Sequence, residues 1–297
     1  MRILASGMSG TIGLELLPAL IAAGHQVTRL KTGPVTGTDQ IGWDPLKPLD
    51  SAQMSGFDAI IHLAGENIFG RWTGKKKAGI RDSRVLGTRN LAGALAQATK
   101  KPEVLISASA IGVYGSRGDE VLTEESSPGT GFLAEVTREW EAATQVAAEA
   151  RIRVVNIRIG VVLSPKVGAL TKMLPAFRLG VGGKLASGNQ CMSWIAVQDA
   201  VGAIMHLLNR RSFSGPANLV ARNPVSNAEF TKSLGRVLRR PTVATVPAFI
   251  LRLILGREMA EETVLASQRV MPKRLLESGY QFKYPELEPA LRALLAR

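Results

Sequence analysis

The chain has a single cysteine, Cys191, among its 297 residues, and aromatic residues make up only 5% of it. One thiol excludes an intrachain disulfide and a cysteine-rich metal site, and it fits a reducing compartment. No uninterrupted apolar run reaches membrane-spanning length, since the best candidate, residues 246–255, is short and carries Arg252. These absences predict a cytoplasmic protein that does not insert into a membrane.

The two halves of the chain differ in charge. Residues 1–150 contain 15 Lys and Arg against 16 Asp and Glu, whereas residues 151–297 contain 22 against 8. This asymmetry indicates an anionic partner for the second half, although a solvated surface explains it as well. No nucleic-acid-binding motif or basic–aromatic alternation is present, so nucleic acid is not the favoured partner. The sequence leaves the oligomeric state open.

A glycine-rich loop directly follows the first apolar strand. Gly7, Gly10 and Gly13 have the spacing G-x-x-G-x-x-G, and a helix-like run starts immediately behind them. The first glycine allows a sharp turn, the second lets a pyrophosphate approach backbone N–H groups, and the third allows close helix packing. The helix dipole also favours an anion there. This context predicts a dinucleotide-binding loop rather than an ordinary glycine-rich turn.

Strand and helix patterns alternate through the first half of the chain and predict an α/β fold with a doubly wound, Rossmann-type parallel sheet. Strands are expected at residues 2–5, 26–30, 59–63, 104–107, 154–157 and 217–220, and helices at 11–23, 75–99, 132–150, 197–209, 227–239, 247–255 and 285–296. Residues 180–188 indicate a flexible glycine-rich loop. We predict a Rossmann domain at residues 1–160, rejoined by residues 194–222. A smaller, mostly helical and discontinuous lobe then occupies residues 161–297.

Several further motifs resemble one enzyme family. They are residues 62–65 (His-Leu-Ala-Gly), 107–109 (Ser-Ala-Ser), 113–115 (Val-Tyr-Gly) and 193–200 (Ser-Trp-Ile-Ala-Val-Gln-Asp-Ala). Together with the glycine loop they resemble the extended short-chain dehydrogenase/reductases, which include nucleotide-sugar epimerases and dehydratases. Residues 65–68, 71–73, 80–88 and 272–276 are similar to an atypical branch labelled "epimerase family protein". The resemblance spans the chain, including the branch's C-terminal domain of unknown function.

The resemblance implies a Rossmann sheet with NADP(H) bound across it. The glycine loop then meets the pyrophosphate, residues 63–65 line the adenine–ribose side with an acid at the crevice edge, and the serine segment approaches the nicotinamide. The residues expected around the cofactor are Gly7, Ser9, Gly10, Thr11, Ile12, Gly13, Leu63, Ala64, Gly65, Glu66 and Ser107.

The end of the second strand predicts which nicotinamide cofactor is bound. Proteins that prefer NAD usually place an acid about 20 residues beyond the loop, where it binds the ribose 2′-hydroxyl. Here Arg29 and Lys31 stand one strand alternation apart, and no acid is present. Because a guanidinium matches phosphate oxygens, we predict NADP(H) in preference to NAD(H). The alternative is that both side chains face solvent.

The usual catalytic pair is missing. Extended reductases carry Tyr-x-x-x-Lys on the helix after the serine-bearing strand, where the lysine lowers the tyrosine pKa and binds the nicotinamide ribose. Residues 131–141 contain neither residue type. The remaining candidates are Ser109, which matches the family's carbonyl-facing serine, and Tyr114, Glu135 and Glu66 for proton transfer. Tyr114 is equally explained as structural, and Glu135 as half of a surface ion pair.

Binding chemistry is more evident than catalysis in the second half. Arg158, Lys184 and Trp194 are candidates for contacting an anionic substrate, although Trp194 also suits a core position. The three histidines suit no metal site. We predict an NADP(H)-dependent oxidoreductase or epimerase-like enzyme acting on a small carbonyl or sugar-nucleotide substrate. The missing Tyr and Lys favour an alternative, a non-catalytic NADP(H)-binding sensor or scaffold.

Overall fold

The computed structural model describes residues 1–296. The strands are β1 (Arg2–Ser6), β2 (Gln26–Lys31), β3 (Gln40–Gly42), β4 (Ala59–His62), β5 (Val104–Ala110), β6 (Val121–Leu122), β7 (Arg153–Ile159), β8 (Val161–Leu163), β9 (Gly183–Leu185), β10 (Cys191–Met192), β11 (Trp194–Ala196), β12 (Gly215–Leu219), β13 (Val225–Ser226), β14 (Ala244–Val246) and β15 (Arg269–Val270). The helices are α1 (Gly13–Ala22), α2 (Gly74–Gln97), α3 (Phe132–Ala142), α4 (Gln145–Glu149), α5 (Ala169–Arg178), α6 (Val197–Asn209), α7 (Asn227–Leu238), α8 (Ala248–Leu255), α9 (Arg257–Glu262), α10 (Lys273–Glu277) and α11 (Leu287–Leu295).

Seven strands form one parallel sheet in the order β12-β7-β5-β4-β1-β2-β3. The chain runs outward from β1 to β3 on one side and then restarts at β4 on the other side of β1. This reversal is the topological switch point, where ligands of doubly wound sheets bind beyond the carboxyl ends of the strands. The predicted Rossmann-type fold and the helical C-terminal region are confirmed.

Helices cover both faces of the sheet because the inner strands are apolar on both faces. Alternate strand residues such as Ile3 and Leu4 point in opposite directions and enter different cores. The core around Ile3 is completed by α1 and α6, and the core around Leu4 by α2 and α4. The sheet is therefore fixed between two helical layers, and a ligand can approach it at the ends of its strands.

Three details differ from the expectations. The helix expected at residues 132–150 is divided into α3 and α4, and the Thr144 hydroxyl donates to the Glu141 carbonyl oxygen at the break. The glycine-rich segment 180–188 contains β9, which pairs with β14. The short edge strand β3 had no sequence signal. Its three residues are too few to show an alternating pattern.

The C-terminal segment is tied to α6 through Asp199, a buried carboxylate. Its two oxygens accept hydrogen bonds from the backbone N–H groups of Lys283 (2.7 Å) and Tyr284 (2.9 Å). The Tyr280 hydroxyl donates to the Asp199 backbone carbonyl oxygen at 2.9 Å. These bonds hold the turn that leads into α11 against the helical layer of the sheet.

We expect Asp199→Ala to lower the free energy of unfolding by about 3 kcal/mol, because two N–H groups lose a charged acceptor. Urea unfolding followed by circular dichroism measures this loss. Asp119→Ala, which removes an exposed carboxylate, is the control, with an expected change below about 0.5 kcal/mol. Equal stability of the two variants would show that Asp199 does not anchor the C-terminal segment.

Candidate functional site

The glycine loop lies over the carboxyl ends of β1 and β4. Gly7 has a φ of +74°, and a Cβ there would lie 2.5 Å from the backbone carbonyl carbon of Leu63. A Cβ on Gly13 would collide with the Gly7 carbonyl oxygen. Gly7 therefore serves both a left-handed turn and a backbone contact, and Gly13 lets α1 approach the loop itself.

The amino end of α1 directly follows this loop. The first helical hydrogen bond runs from the Leu14 N–H to the Gly10 carbonyl oxygen (3.0 Å), and no side chain caps the helix. Within residues 1–296, the N–H groups of Ser9, Thr11 and Ile12 donate to no protein acceptor. Uncapped N–H groups at a helix start favour an anion, so this end suits a phosphate.

Two cations stand at the end of β2. Arg29 pairs with Asp39 at 2.6 Å, and its Nε is buried without a protein partner. Lys31, the last residue of β2, forms no ion pair with any residue that the structure describes. The predicted pair of phosphate-binding cations is thus divided into one that already has a counter-ion and one that has none.

The carboxyl edge of the sheet carries two rows of polar side chains on the face covered by α2 and α3. In-register residues of neighbouring parallel strands point to the same face. One row consists of Ser6, His62, Ser107 and Asn156, and the next row consists of Ser109, Arg158 and Asn218. The core around Leu4 is therefore apolar in its interior and polar at the ligand-facing edge.

The first row is linked to both covering helices through His62. Its Nδ1 lies 2.6 Å from the Ser6 Oγ, and its Nε2 lies 3.1 Å from the Thr88 Oγ1 on α2. The Trp140 indole N–H on α3 also meets Thr88, at 2.8 Å. Burial lowers the pKa of His62 to about 4, so the ring is neutral at pH 7.

The second row forms a buried chain of hydrogen bonds. The Ser109 hydroxyl donates to the Glu141 carboxylate at 2.5 Å, and Arg158 grips the same carboxylate with two bonds of 2.8 and 2.9 Å. Arg158 Nη1 donates to the Tyr114 hydroxyl at 2.9 Å, which in turn donates to the Asn218 Oδ1 at 2.8 Å. The acid beside Ser109 is thus held in one orientation by a bidentate guanidinium.

Three of the expected site residues can be compared with this chain of hydrogen bonds. Tyr114 is completely buried, and burial raises the pKa of its hydroxyl, so it stays protonated within the structure. Arg158 is expected to bind substrate, but each of its guanidinium nitrogens already has a protein partner. Glu135 is exposed, whereas Glu141 faces Ser109, because six residues of helix turn a side chain to a different face.

Comparison with known proteins identifies the relatives of the chain. The model of the NAD dependent epimerase/dehydratase family matches residues 3–220. The chain belongs to this family. A second model, of a domain of unknown function (DUF1731), matches residues 246–294. The resemblance to the atypical epimerase branch with its C-terminal domain is confirmed.

Individual relatives cover nearly the whole chain. An epimerase family protein of Mycobacterium bovis is 41% identical over 96% of this chain and 95% of its own length. The crystal structure of human epimerase family protein SDR39U1 (isoform 2) with NADPH is 34% identical, with a TM-score of 0.92 over 99% of both chains. A nucleoside-diphosphate sugar epimerase from Corynebacterium glutamicum is 38% identical, with a TM-score of 0.80 over 99% of this chain and 58% of that one.

The remaining expected residues have varied surroundings in this epimerase-family fold. Ser107 is completely buried, and Trp194 lies in the core of the second lobe, where its indole N–H donates to the Asn223 carbonyl oxygen. This burial favours the core interpretation of Trp194. Lys184 lies 3.5 Å from the Ser187 carbonyl oxygen. Of these three residues, only Ser107 belongs to a polar row, and Lys184 and Trp194 lie outside both rows.

Sequence reasoning missed Glu141, Asn218 and Arg84. Glu141 had a usable signal, because it lies four residues after the buried Thr137 on the helix face toward the sheet. Arg84 on α2 lies with its guanidinium carbon 5.1 Å from the Trp140 ring centroid, and it had no signal beyond its place in the family motif. Asn218 had none, since its partners depend on strand order.

Other candidate features lie outside the crevice. A shallow depression of about 460 Å³ at the end of α7 is lined mainly by Lys232, Arg236, Arg239 and Arg240. In the part of the chain that the structure describes, no group of three His, Cys, Asp or Glu side chains is arranged to hold a metal ion. No helix there is both long and apolar enough to cross a membrane.

The pKa of His62 predicts a pH dependence of stability. The folded value is about 4 and the unfolded value about 6.5, so between them the unfolded chain binds the extra proton. Lowering the pH from 7 to 5 should therefore cost the wild type about 2 kcal/mol through this residue. We expect His62→Gln to lose correspondingly less in urea unfolding at the two pH values. The same loss in both proteins would contradict a neutral buried His62.

Proposed function

We propose that the protein binds NADP(H) along the carboxyl edge of its sheet and catalyses an oxidoreductase or epimerase-like reaction. The substrate would be a small, anionic carbonyl compound or sugar nucleotide. The observation that carries this proposal is the glycine loop, where Gly7 contacts the backbone directly after β4 and an uncapped helix starts at the switch point. The human relative crystallised with NADPH supports the cofactor. When bound, NADP(H) supplies hydride transfer.

The preference for NADP(H) over NAD(H) is proposed from the end of β2. No carboxylate ends this strand to accept a hydrogen bond from the ribose 2′-hydroxyl. Lys31 is there instead, without an ion-pair partner within residues 1–296. Arg29 adds positive charge but shares it with Asp39. A 2′-phosphate at this point would provide Lys31 with a counter-ion.

We expect the wild type to bind NADPH at least about tenfold more tightly than NADH, since one charged contact is worth at least that factor. Lys31→Ala should remove most of this difference without weakening NADH binding. Isothermal titration calorimetry measures both affinities. The matched control is Lys100→Ala, at an exposed residue before the amino end of β5, away from the carboxyl ends of the strands. Equal affinities in the wild type would contradict the preference. No binding of either would contradict the cofactor itself.

Ser109 and Glu141 are the residues that we propose for proton transfer. The Ser109 hydroxyl donates its only proton to Glu141, so its oxygen is left to accept a hydrogen bond from a substrate hydroxyl. In the oxidising direction, the substrate O–H proton passes to the Ser109 oxygen as the Ser109 proton passes to the Glu141 carboxylate. The reducing direction reverses both transfers. Arg158 keeps the carboxylate aimed at Ser109 throughout.

Turnover tests this assignment. Wild-type protein is incubated with NADP⁺ or NADPH and a panel of nucleotide sugars and small carbonyl compounds, following nicotinamide absorbance and product stereochemistry. We expect Ser109→Ala and Glu141→Gln each to lower turnover by about 100-fold, as loss of an acid/base group does. NADPH affinity should change less than threefold, roughly 0.6 kcal/mol. Loss of turnover in Glu135→Gln but not in Glu141→Gln would show that Glu135, and not Glu141, takes the proton.

A non-catalytic NADP(H)-binding sensor or scaffold is the second candidate function. Two observations favour it, namely the absence of Tyr and Lys from residues 131–141 and the complete burial of Tyr114. A lack of turnover across the panel, combined with NADPH-dependent capture of a partner protein, would replace the enzymatic proposal with this one. NADP(H) binding is common to both.

A further inference from the structure

Helix α3 lacks the cation that extended reductases place beside the nicotinamide ribose. The α3 residues Leu133 and Thr137 lie close to Gly112 in the turn after β5, at 3.4 and 3.8 Å from a Cβ built on it. They are four residues apart, as the usual Tyr and Lys are, but neither carries a charge. We propose that Arg84 of the neighbouring helix α2 supplies this cation. Its guanidinium would donate to the ribose and phosphate oxygens of the nicotinamide half of NADP(H).

The position of Arg84 along the carboxyl ends of the strands supports contact with the nicotinamide half of the cofactor. A Cβ on Gly65, just beyond β4, would lie 3.3 Å from the Arg84 guanidinium carbon. Strand β4 lies between β1, which leads into the glycine loop, and β5, which carries Ser109. The guanidinium therefore lies between the loop that suits the pyrophosphate and the serine proposed to face the substrate. This role presupposes the proposed NADP(H) binding.

Arg84 also lacks a carboxylate partner among the described residues, unlike two arginines near it. Arg158 is paired with Glu141, and Arg81 with Glu139. Arg84 donates to the Ile80 carbonyl oxygen at 3.1 Å and forms no ion pair with the described residues. A guanidinium has five N–H donors, so most of those on Arg84 are left for another acceptor.

The environment of Arg84 makes an anionic or polyhydroxyl ligand favourable. Burial lowers the pKa of Arg84 to about 10, with the charge of Glu66 acting in the opposite direction. Glu66 itself is engaged by Lys76 at 2.7 Å and does not neutralise Arg84 directly. A partly desolvated cation without a counter-ion costs free energy, and a bound phosphate or ribose oxygen offsets that cost.

A purely structural role for Arg84 makes a different prediction. The side chain lies over the Trp140 ring, so its stem and charge also stabilise the packing of α2 on α3. Loss of that packing would disturb the whole crevice and weaken the binding of every ligand in it. A ligand that ends before the nicotinamide half separates the two roles. The fragment 2′,5′-ADP contains the adenosine and the 2′-phosphate but lacks the nicotinamide ribose and its phosphate.

The experiment measures NADPH and 2′,5′-ADP binding by isothermal titration calorimetry in wild type, Arg84→Met and Arg84→Lys. Methionine keeps an unbranched stem on Trp140, and lysine keeps the charge without the fork. We expect Arg84→Met to weaken NADPH binding about tenfold, the loss of one charged hydrogen-bonding group, and Arg84→Lys less. Binding of 2′,5′-ADP should stay within twofold, roughly 0.4 kcal/mol. Arg89→Met, an exposed arginine on the same helix, is the matched control.

The other outcomes overturn the assignment. Equal weakening of both ligands by Arg84→Met would show that Arg84 acts through packing, and a thermal unfolding midpoint lowered in parallel would identify that cause. Unchanged NADPH binding in Arg84→Met would exclude contact with the cofactor. If the wild type bound neither ligand, the proposed function itself would be contradicted. If the wild type and Arg84→Met bound NADPH equally well, only the role of Arg84 would be contradicted.

Discussion

The arrangement of the crevice depends on one backbone contact, that of Gly7 with Leu63 and Ala64. A side chain at Gly7 would meet backbone atoms of Leu63 and Ala64, directly after β4, and backbone atoms have no rotamer by which to move away. The contact brings the exits of β1 and β4 together at the switch point of the sheet. It also holds the loop whose Ser9, Thr11 and Ile12 N–H groups have no acceptor within residues 1–296. The positions of the flanking side chains are all set relative to this junction.

Charge along the edge follows from which cations are paired. Arg158 and Arg81 hold carboxylates and therefore fix neighbouring elements in place. Lys31 at β2 and Arg84 beyond β4 hold none among the described residues, and they lie on opposite sides of the glycine loop. A dinucleotide laid over the loop would have one such cation near each half. The paired cations thus stabilise the elements around the site, while Lys31 and Arg84 are its proposed contacts with ligand.

Local patterns in the sequence predicted the fold better than the site. The inner strands are apolar runs bounded by turn residues, and the loop glycines are three residues apart. Both patterns can be recognised within a short stretch of consecutive residues. The row of Ser109, Arg158 and Asn218 cannot, because it requires the order of β5, β7 and β12. Arg158 was predicted to contact substrate, and its pairing with Glu141 could not be predicted because it joins β7 to α3.

The two functions of the missing lysine can be separated in this fold. In a Tyr-x-x-x-Lys pair, the cation both lowers the tyrosine pKa and binds the ribose, so one residue is tied to two tasks. A carboxylate is an acceptor without such help, because its charge does not have to be created by a neighbouring cation. In the proposed mechanism Glu141 takes the proton through Ser109, so the remaining need is for an orienting cation, and Arg158 is paired with this carboxylate. The ribose-binding task is then free to move to another helix, and α3 retains no requirement for either residue of the pair.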